Sequence, residues 1–430
     1  NSKKMPKIAQ VKNNPDFNPD PERIQKCGQC LISAHRFDEA VSMFVSVVPF
    51  LNDNVDALLY LIEQMIRIKR FSDANLCVES ASSLFNQFSS ISPNAFIGPV
   101  SNARFLSLKA QVLMNIGELA EAVQSFEQSI SIFIDVIELR EPNSYTTFLR
   151  EKASNISVMA GSLFETIKDP DKALEYYTKG FDLDPININA LTSLVAFHKN
   201  KMENNQSIKL CMEFLENQPD NETAILLLSS LEIFNYNALV HYLKKFLSLK
   251  PNSHRVIVRM IEVCAKIGKL QLAASYLKTD TEPGMIFANG LYNMYIGLTH
   301  QSIKCFEKIL SDRKWKMSAQ MSLFSLYVNP YRNYIWQESQ NLTTEENISK
   351  ATNLLLKMCK AKSLKEIENK PIEKNQNESD LLFTEEISNV EQNLLCAEIE
   401  KSINTVESIN IASSIYQKII KVQPTNIAAR

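Results

Sequence analysis

The sequence predicts an all-α fold, a solenoid of stacked helix hairpins, and three observations predict it. Glycine is scarce, 9 residues in a chain of 430 that also holds 16 prolines, which is too few turn formers for a β-rich protein. A small residue placed to open the second helix of a hairpin recurs at a near-constant interval. The large apolar residues around it keep the same offsets from one recurrence to the next.

The recurring positions are Ala40, Ala74, Ala122, Ala173, Ser207, Leu239, Ala273 and Ser302. Ala40 and Ala74, Ala173 and Ser207, and Leu239 and Ala273 are each 34 residues apart, the period of the tetratricopeptide repeat. Ser207 and Leu239 are 32 apart, and Ala273 and Ser302 only 29. The steps around Ala122 are long, 48 residues before it and 51 after it. The extra residues sit in 87–104, predicted to be a loop because Pro93 and Pro99 both break helices, and in 136–148, predicted to be a lengthened helix and a turn at Pro142.

The other offsets agree. Twelve residues before the small residue, where two helices cross closely, stand Gly28, Ala110, Gly161 and Gly290. Four residues after it, on the same helix face, come Phe44, Phe126, Tyr177, Leu243, Leu277 and Phe306. Proline ends the unit at Pro185, Pro219, Pro251 and Pro424. Gly117, Gly268 and Gly297 lie five residues before the small residue, where a turn between helices takes left-handed backbone. The packing positions to watch are therefore Gly28, Ala40, Ala74, Ala122, Gly161, Ala173, Ala273 and Gly290. One hairpin cannot bury its apolar face alone, so neighbours must stack into a continuous core. The expected product is a right-handed superhelix of about ten units, eight of them clear, whose groove is lined by first helices.

The chain divides accordingly. Residues 1–20 read as the end of a preceding unit or a linker, and 21–315 as eight tetratricopeptide-type repeats. Residues 316–362 read as a degenerate repeat with a loop insertion at 331–347, and 363–380, polar and mixed in charge, as a flexible insertion. A further repeat occupies 381–430, with Ala412, Tyr416 and Pro424 in the expected places. The chain starts at Asn1 rather than Met and stops just after a proline-terminated helix, so both ends are expected to be cut from a longer solenoid.

Composition and motifs argue against catalysis and against most ligands. A net charge of −2 gives no field that would draw phosphate backbones, and no basic block with interleaved aromatics stands out, so nucleic acid is not an expected partner. No apolar run reaches the ~20 residues that cross a bilayer, and no signal peptide is visible. The 5 histidines, His35, His198, His241, His254 and His300, form no HExxH. The glycine-rich phosphate loops GxGxxG and GxxxxGK[ST] are absent. No cofactor or metal is expected. The 8 cysteines are scattered through apolar helical stretches and are expected to be buried thiols. Cys27-Gly-Gln-Cys30 has knuckle spacing but lacks a second ligand pair, so helix packing is its expected role. Asp169 and Asp171 sit at a helix start, where carboxylates complement the helix dipole.

Protein binding remains. Some tetratricopeptide domains hold a peptide C-terminus with lysines and asparagines on successive first helices. The matching positions here are Gln25 and Gln29, Leu59 and Glu63, then Val158 and Ser162, which form no basic clamp and disfavour chaperone tails. Register puts Asp56, Glu63, Arg67, Asn155, Glu165, Asn189, Lys199 and Asn200 on the groove as candidate partner-binding residues.

The later repeats carry a more specific wording: RVIVRMIEVCAKIGKLQLAASYL (255–277), EPGMIFANGLYNMYIG (282–297), IKCFEKILSDRKW (303–315) and LYVNP (326–330), in that order. This resembles the tetratricopeptide repeat protein 21 family, also called intraflagellar transport protein 139. NPDPERIQKCGQCLISAHRFDEAVSMF (18–44) resembles an earlier repeat of that family, and the segment from Phe383 to Ile420 a later one. Tyr331 departs from it, following Asn329-Pro330 where an acidic residue is common. The resemblance implies a non-catalytic scaffold of intraflagellar transport complex A, in the cilium and cytoplasm, serving retrograde transport and the delivery of membrane proteins. Its implied partners are the WD-repeat subunits of that complex, ciliary cargo adaptors and neighbouring transport trains. The abundance of Asn, Ile, Lys and Ser fits an AT-rich genome such as that of a ciliated protist. The alternative is a scaffold of another assembly, a ubiquitin ligase or chaperone adaptor, which shares only the fold.

Overall fold

The computed structural model describes residues 21–48, 55–88, 98–231, 236–279, 281–329, 345–361, 363–368, 389–403 and 405–422. Among these every regular element is a helix. The chain forms two compact units, residues 1–210 and 211–430.

In the first unit the hairpins follow the predicted recurrences. They are α1 (Pro21–Ser33) with α2 (Phe37–Val47), α3 (Val55–Arg67) with α4 (Phe71–Phe88), α5 (Gly98–Ile116) with α6 (Leu119–Glu138), and α7 (Ser144–Ile167) with α8 (Pro170–Leu183). Then come α9 (Ile188–Asn200) and α10 (Asn204–Asn217), the latter crossing the boundary between the units. First helices pack on their own second helices and on the next first helix, as α3 does on α4 and α5. This is the tetratricopeptide stack, and it explains why each helix needs apolar residues on more than one face.

In the second unit α11 (Glu222–Ser230) pairs with α12 (Tyr236–Leu249), α13 (His254–Lys266) with α14 (Gln271–Ala274), and α15 (Pro283–Tyr295) with α16 (Thr299–Lys308). The run ends with α17 (Lys316–Val328) and α18 (Glu345–Cys359), the short α19 (Leu364–Glu368), and the hairpin of α20 (Asn389–Ile403) and α21 (Val406–Val422).

One local geometry builds the hairpins. The chain leaves the first helix through a residue with positive φ five positions before the small residue: His35 (56°), Lys69 (61°), Gly117 (103°), Lys168 (67°), Met202 (61°), Gly268 (68°) and Gly297 (85°). The next amide then reaches back five residues to a first-helix carbonyl, as from Arg36 to Leu31 (2.9 Å), Asp169 to Phe164 (2.9 Å) and Glu203 to His198 (2.8 Å). This is the Schellman closure, which satisfies carbonyls that the helix end would leave bare. The small residue then donates the first bond of the second helix, Ala40 to Arg36 (3.1 Å) and Ala173 to Asp169 (3.1 Å).

Close crossing follows from the missing side chains. A Cβ on Gly28 would lie 2.5 Å from the Phe44 ring, one on Gly161 2.5 Å from Tyr177, and one on Gly290 2.8 Å from Phe306. All three aromatic residues are buried, each contributing ~2–3 kcal/mol of apolar burial. The two offsets read in the sequence are thus halves of one contact. At unit ends proline sets a turn: Asn187 bonds to Asp184 across Pro185 (3.0 Å) and Asn221 to Gln218 across Pro219 (3.2 Å). The side chains of Asn187 and Asn221 then cap α9 and α11.

Four expectations need correction. Residues 87–104 are not all loop: α4 runs to Phe88 and α5 begins at Gly98, because proline is tolerated in a first helical turn and Pro99 sits there. Residues 89–97 lie outside the described residues. Leu277 lies beyond the end of α14, which is a single turn, so the expected pairing with Ala273 on one helix face is not made. The 29-residue step to Ser302 reflects that truncation, with Pro283 already starting α15. Within the proposed flexible insertion 363–380, α19 is ordered and its Ile367 is fully buried beside Leu355 and Cys396, since Leu364 and Ile367 share one face. Residues 369–380 of that insertion, and 331–344 of the loop before it, lie outside the described residues. Finally, Cys27 and Cys30 are exposed on α1, so the packing role belongs to Gly28 alone.

Candidate functional site

The first unit carries a cleft of about 600 Å³ across α3, α5 and α7. Its floor is apolar, with Val100 and Leu108 from α5 and Ile156 and Met159 from α7. Asp56 and Glu63 reach in from α3, one helical turn-pair apart, and share the guanidinium of Arg104 from α5 at 3.6 and 3.1 Å. These side chains are largely solvated, so the pairing sets their orientation more than it stabilises the fold.

The far wall is the first half of α7. This helix has 24 residues and opens on a reciprocal capping box, with the Asn143 side chain accepting from the Thr146 amide at 2.9 Å and Thr146 Oγ1 accepting from the Asn143 amide at 2.8 Å. Its early turns place Tyr145 and Phe148 in solvent at the cleft mouth. Arg140 stacks on Tyr145 (4.9 Å) and Lys152 on Phe148 (5.2 Å), which holds both rings outward. Asn155, lower in the cleft, accepts from Asn187 Nδ2 at 3.0 Å, and the same amide donates to Ser154 Oγ at 2.7 Å. That bond fixes α7 against the start of α9.

The structure therefore brings together three of the residues chosen by register, Asp56, Glu63 and Asn155. Arg67 belongs to a separate recess at the ends of α1 and α3. Glu165 faces the Tyr177 hydroxyl, whose titration is pushed up by burial first and by Glu165 second. Asn189 and Asn200 are exposed at the start and end of α9, and Lys199 is half-buried there. Leu59, matched to a groove position, is fully buried in the core instead. Register reasoning missed Arg104, Tyr145, Phe148 and Lys152. The i, i+3 and i, i+4 spacing of the last three was their visible signal; Arg104 was hidden by reading its segment as loop.

Among the described residues no group of three or more His, Cys, Asp or Glu side chains could hold a metal. Burial pushes the Cys77 and Cys211 thiols up to about 12, away from nucleophilic character. No described helix is long and apolar enough to cross a membrane.

The family model described as the TT21 fifth ARM repeats domain matches residues 222–328, and the tetratricopeptide repeat model matches 103–133 and 155–187. Tetratricopeptide repeat protein 21A of Mus musculus is 18% identical over 341 residues, 76% of this chain and 25% of that protein. Tetratricopeptide repeat protein 21B of Xenopus laevis is 21% identical over 337 residues, 72% of this chain and 24% of that protein. The chain thus spans about a quarter of the length of these relatives. Among solved structures, yeast Tom70 covers 94% of the chain at 13% identity and TM-score 0.41, with 86% of Tom70 aligned. MamA covers 44% at 19% identity and TM-score 0.31, with 94% of MamA aligned. The family-model matches fall on helices of these hairpins, and over most of its length the chain is similar to the tetratricopeptide repeat protein 21 family.

Proposed function

We propose that this chain is a scaffold segment of intraflagellar transport complex A. It contributes protein–protein contacts, without catalysis, to retrograde transport, cilium assembly and ciliary cargo and membrane-protein trafficking. The observation that carries this reading is the family match over 222–328, the stretch whose wording is specific rather than merely periodic. The fold alone would serve many assemblies.

On this reading the protein works in the cilium and the cytoplasm. The cleft on α3, α5 and α7 offers partner subunits an apolar floor between the Asp56–Arg104–Glu63 cluster and the Tyr145–Phe148 rim. Asp56, Glu63 and Asn155 are its proposed contact residues; Arg67, Glu165, Asn189, Lys199 and Asn200, which do not line the cleft, are proposed as further contacts elsewhere on the first unit. Aromatic residues held outward by cations give contact area at low entropic cost, which is what interface centres need. The test is affinity purification of the full-length protein from ciliated cells. Complex A subunits should co-purify, and Tyr145→Ala/Phe148→Ala should reduce their recovery. Recovery of chaperones or ubiquitin-ligase subunits in their place would reject the proposal.

A further inference from the structure

The recess holding Arg67 lies on another part of the first unit and has a different charge character. It has a volume of about 550 Å³ and is built where α1 and α3 end and their hairpin turns begin. Three cationic or titratable side chains line it: Arg67 from the last turn of α3, and His35 and Lys69 from the two positive-φ turn positions. The register of the stack brings these turns together, since α1 packs on α3.

Neighbouring cations are already matched. Arg36 pairs with Glu39, Arg70 with Asp38, and Arg104 with Glu63 and Asp56. Among the described residues, Arg67, Lys69 and His35 have no carboxylate within ion-pair distance; the imidazole instead meets Phe37 edge-on at 5.7 Å. Cations at helix C-termini complement the macrodipole, but each terminus presents only about half a negative charge. Two termini therefore offset roughly one of the two permanent charges on Arg67 and Lys69. The recess keeps a net positive potential even with His35 neutral.

Its other walls suit a peptide. Ile32, Ile68 and Phe37 supply apolar surface, and the amides of Gln29 and Gln64 supply donors. We propose that this recess is a docking site for an acidic segment of a partner protein, in which side-chain carboxylates meet Arg67 and Lys69 and one aliphatic or aromatic side chain lies against Ile32, Ile68 and Phe37. A guanidinium at one side takes a carboxylate in bidentate fashion, and the ammonium takes a second. The site does not depend on which assembly the protein joins, so it stands or falls separately from the complex A reading.

The test uses the 430-residue chain and two fluorescein-labelled, C-terminally amidated peptides, Gly-Asp-Glu-Leu-Glu-Asp-Gly and its neutral counterpart Gly-Asn-Gln-Leu-Gln-Asn-Gly. At low ionic strength the acidic peptide should bind at least about tenfold more tightly, a difference that rising salt erodes. Arg67→Gln/Lys69→Gln should abolish that preference, whereas Lys244→Gln/Lys245→Gln, removing two exposed cations on α12, should leave it intact. Equal binding of the two peptides, or equal loss in both double variants, would overturn the proposal. A photoreactive version of the acidic peptide gives a readout on the unaltered protein: it should attach within 29–37 or 64–69, and attachment elsewhere would equally overturn it.

Discussion

The left-handed turn positions make a prediction whose sign alone decides the case. Met202 has φ 61° and a side chain 71% exposed, and Lys168 has φ 67° and is exposed. An L-residue held in this region costs about 1–2 kcal/mol relative to right-handed backbone, and glycine removes that cost. Glycine also raises the entropy of the unfolded chain, which takes back roughly 0.5–1 kcal/mol. The net effect of Met202→Gly or Lys168→Gly is a stabilisation of about 0.5–1 kcal/mol each. The two turns belong to different hairpins, so the effects should nearly add, giving a rise in Tm of roughly 2–8 °C for a unit of this size. Urea unfolding followed by helical circular dichroism measures the total. Because stacked repeats can unfold piecemeal, hydrogen exchange of the Asp169 and Glu203 amides, which close these turns at 2.9 and 2.8 Å, gives the local reading. Had these turns a right-handed ground state, only the entropic term would remain and glycine would destabilise. Loss of stability in both variants would therefore refute the Schellman assignment.

Two other perturbations test the core. Gly161→Ala puts a methyl 2.5 Å from the Tyr177 ring and should cost about 1–3 kcal/mol by overpacking. Combining it with Tyr177→Leu should recover part of that loss in the same urea titration, and a neutral Gly161→Ala would show that the crossing is looser than described. Alkaline titration tests burial. The Cys77 and Cys211 thiols titrate at about 12 in the fold but near ~8.5 when unfolded, so their contribution is complete below ~8.5 and is lost as pH rises toward 12, with a slope of up to ~1.4 kcal/mol per pH unit for each thiol. Cys77→Ala and Cys211→Ala should flatten that decline; an unchanged profile would place the ionisations elsewhere.

The hairpins were legible in the sequence because their packing needs particular residue types. Gly28 and Phe44, or Gly161 and Tyr177, are each meaningful only as a pair, and their fixed spacing survives translation into structure as a contact. The turns were legible in only three of seven cases, Gly117, Gly268 and Gly297. At His35, Lys69, Lys168 and Met202 the hydrogen bonds impose the same conformation on residues that carry no mark of it. The start of α5 was misread because a proline inside a helix and a proline in its first turn look alike without the backbone. The cleft shared that fate: once 98–104 is helical, Arg104 is delivered to Asp56 and Glu63, and no local pattern in the sequence announces it.

The same asymmetry explains how relatives only 18–21% identical to this chain can match most of its length. The stack requires a small residue, a large apolar partner and a turn closed by backbone bonds, and the last of these makes no demand on side chains. Each unit then has exposed positions that the fold leaves undetermined. Some of these positions carry cations that are paired, as Arg36 is with Glu39 and Arg70 with Asp38. Arg67 and Lys69 at the end of α3 have no carboxylate within ion-pair distance among the described residues, and both line one recess. Charge that neither packing nor pairing accounts for, gathered in one recess with apolar walls, is where the sequence has been spent on something outside the fold.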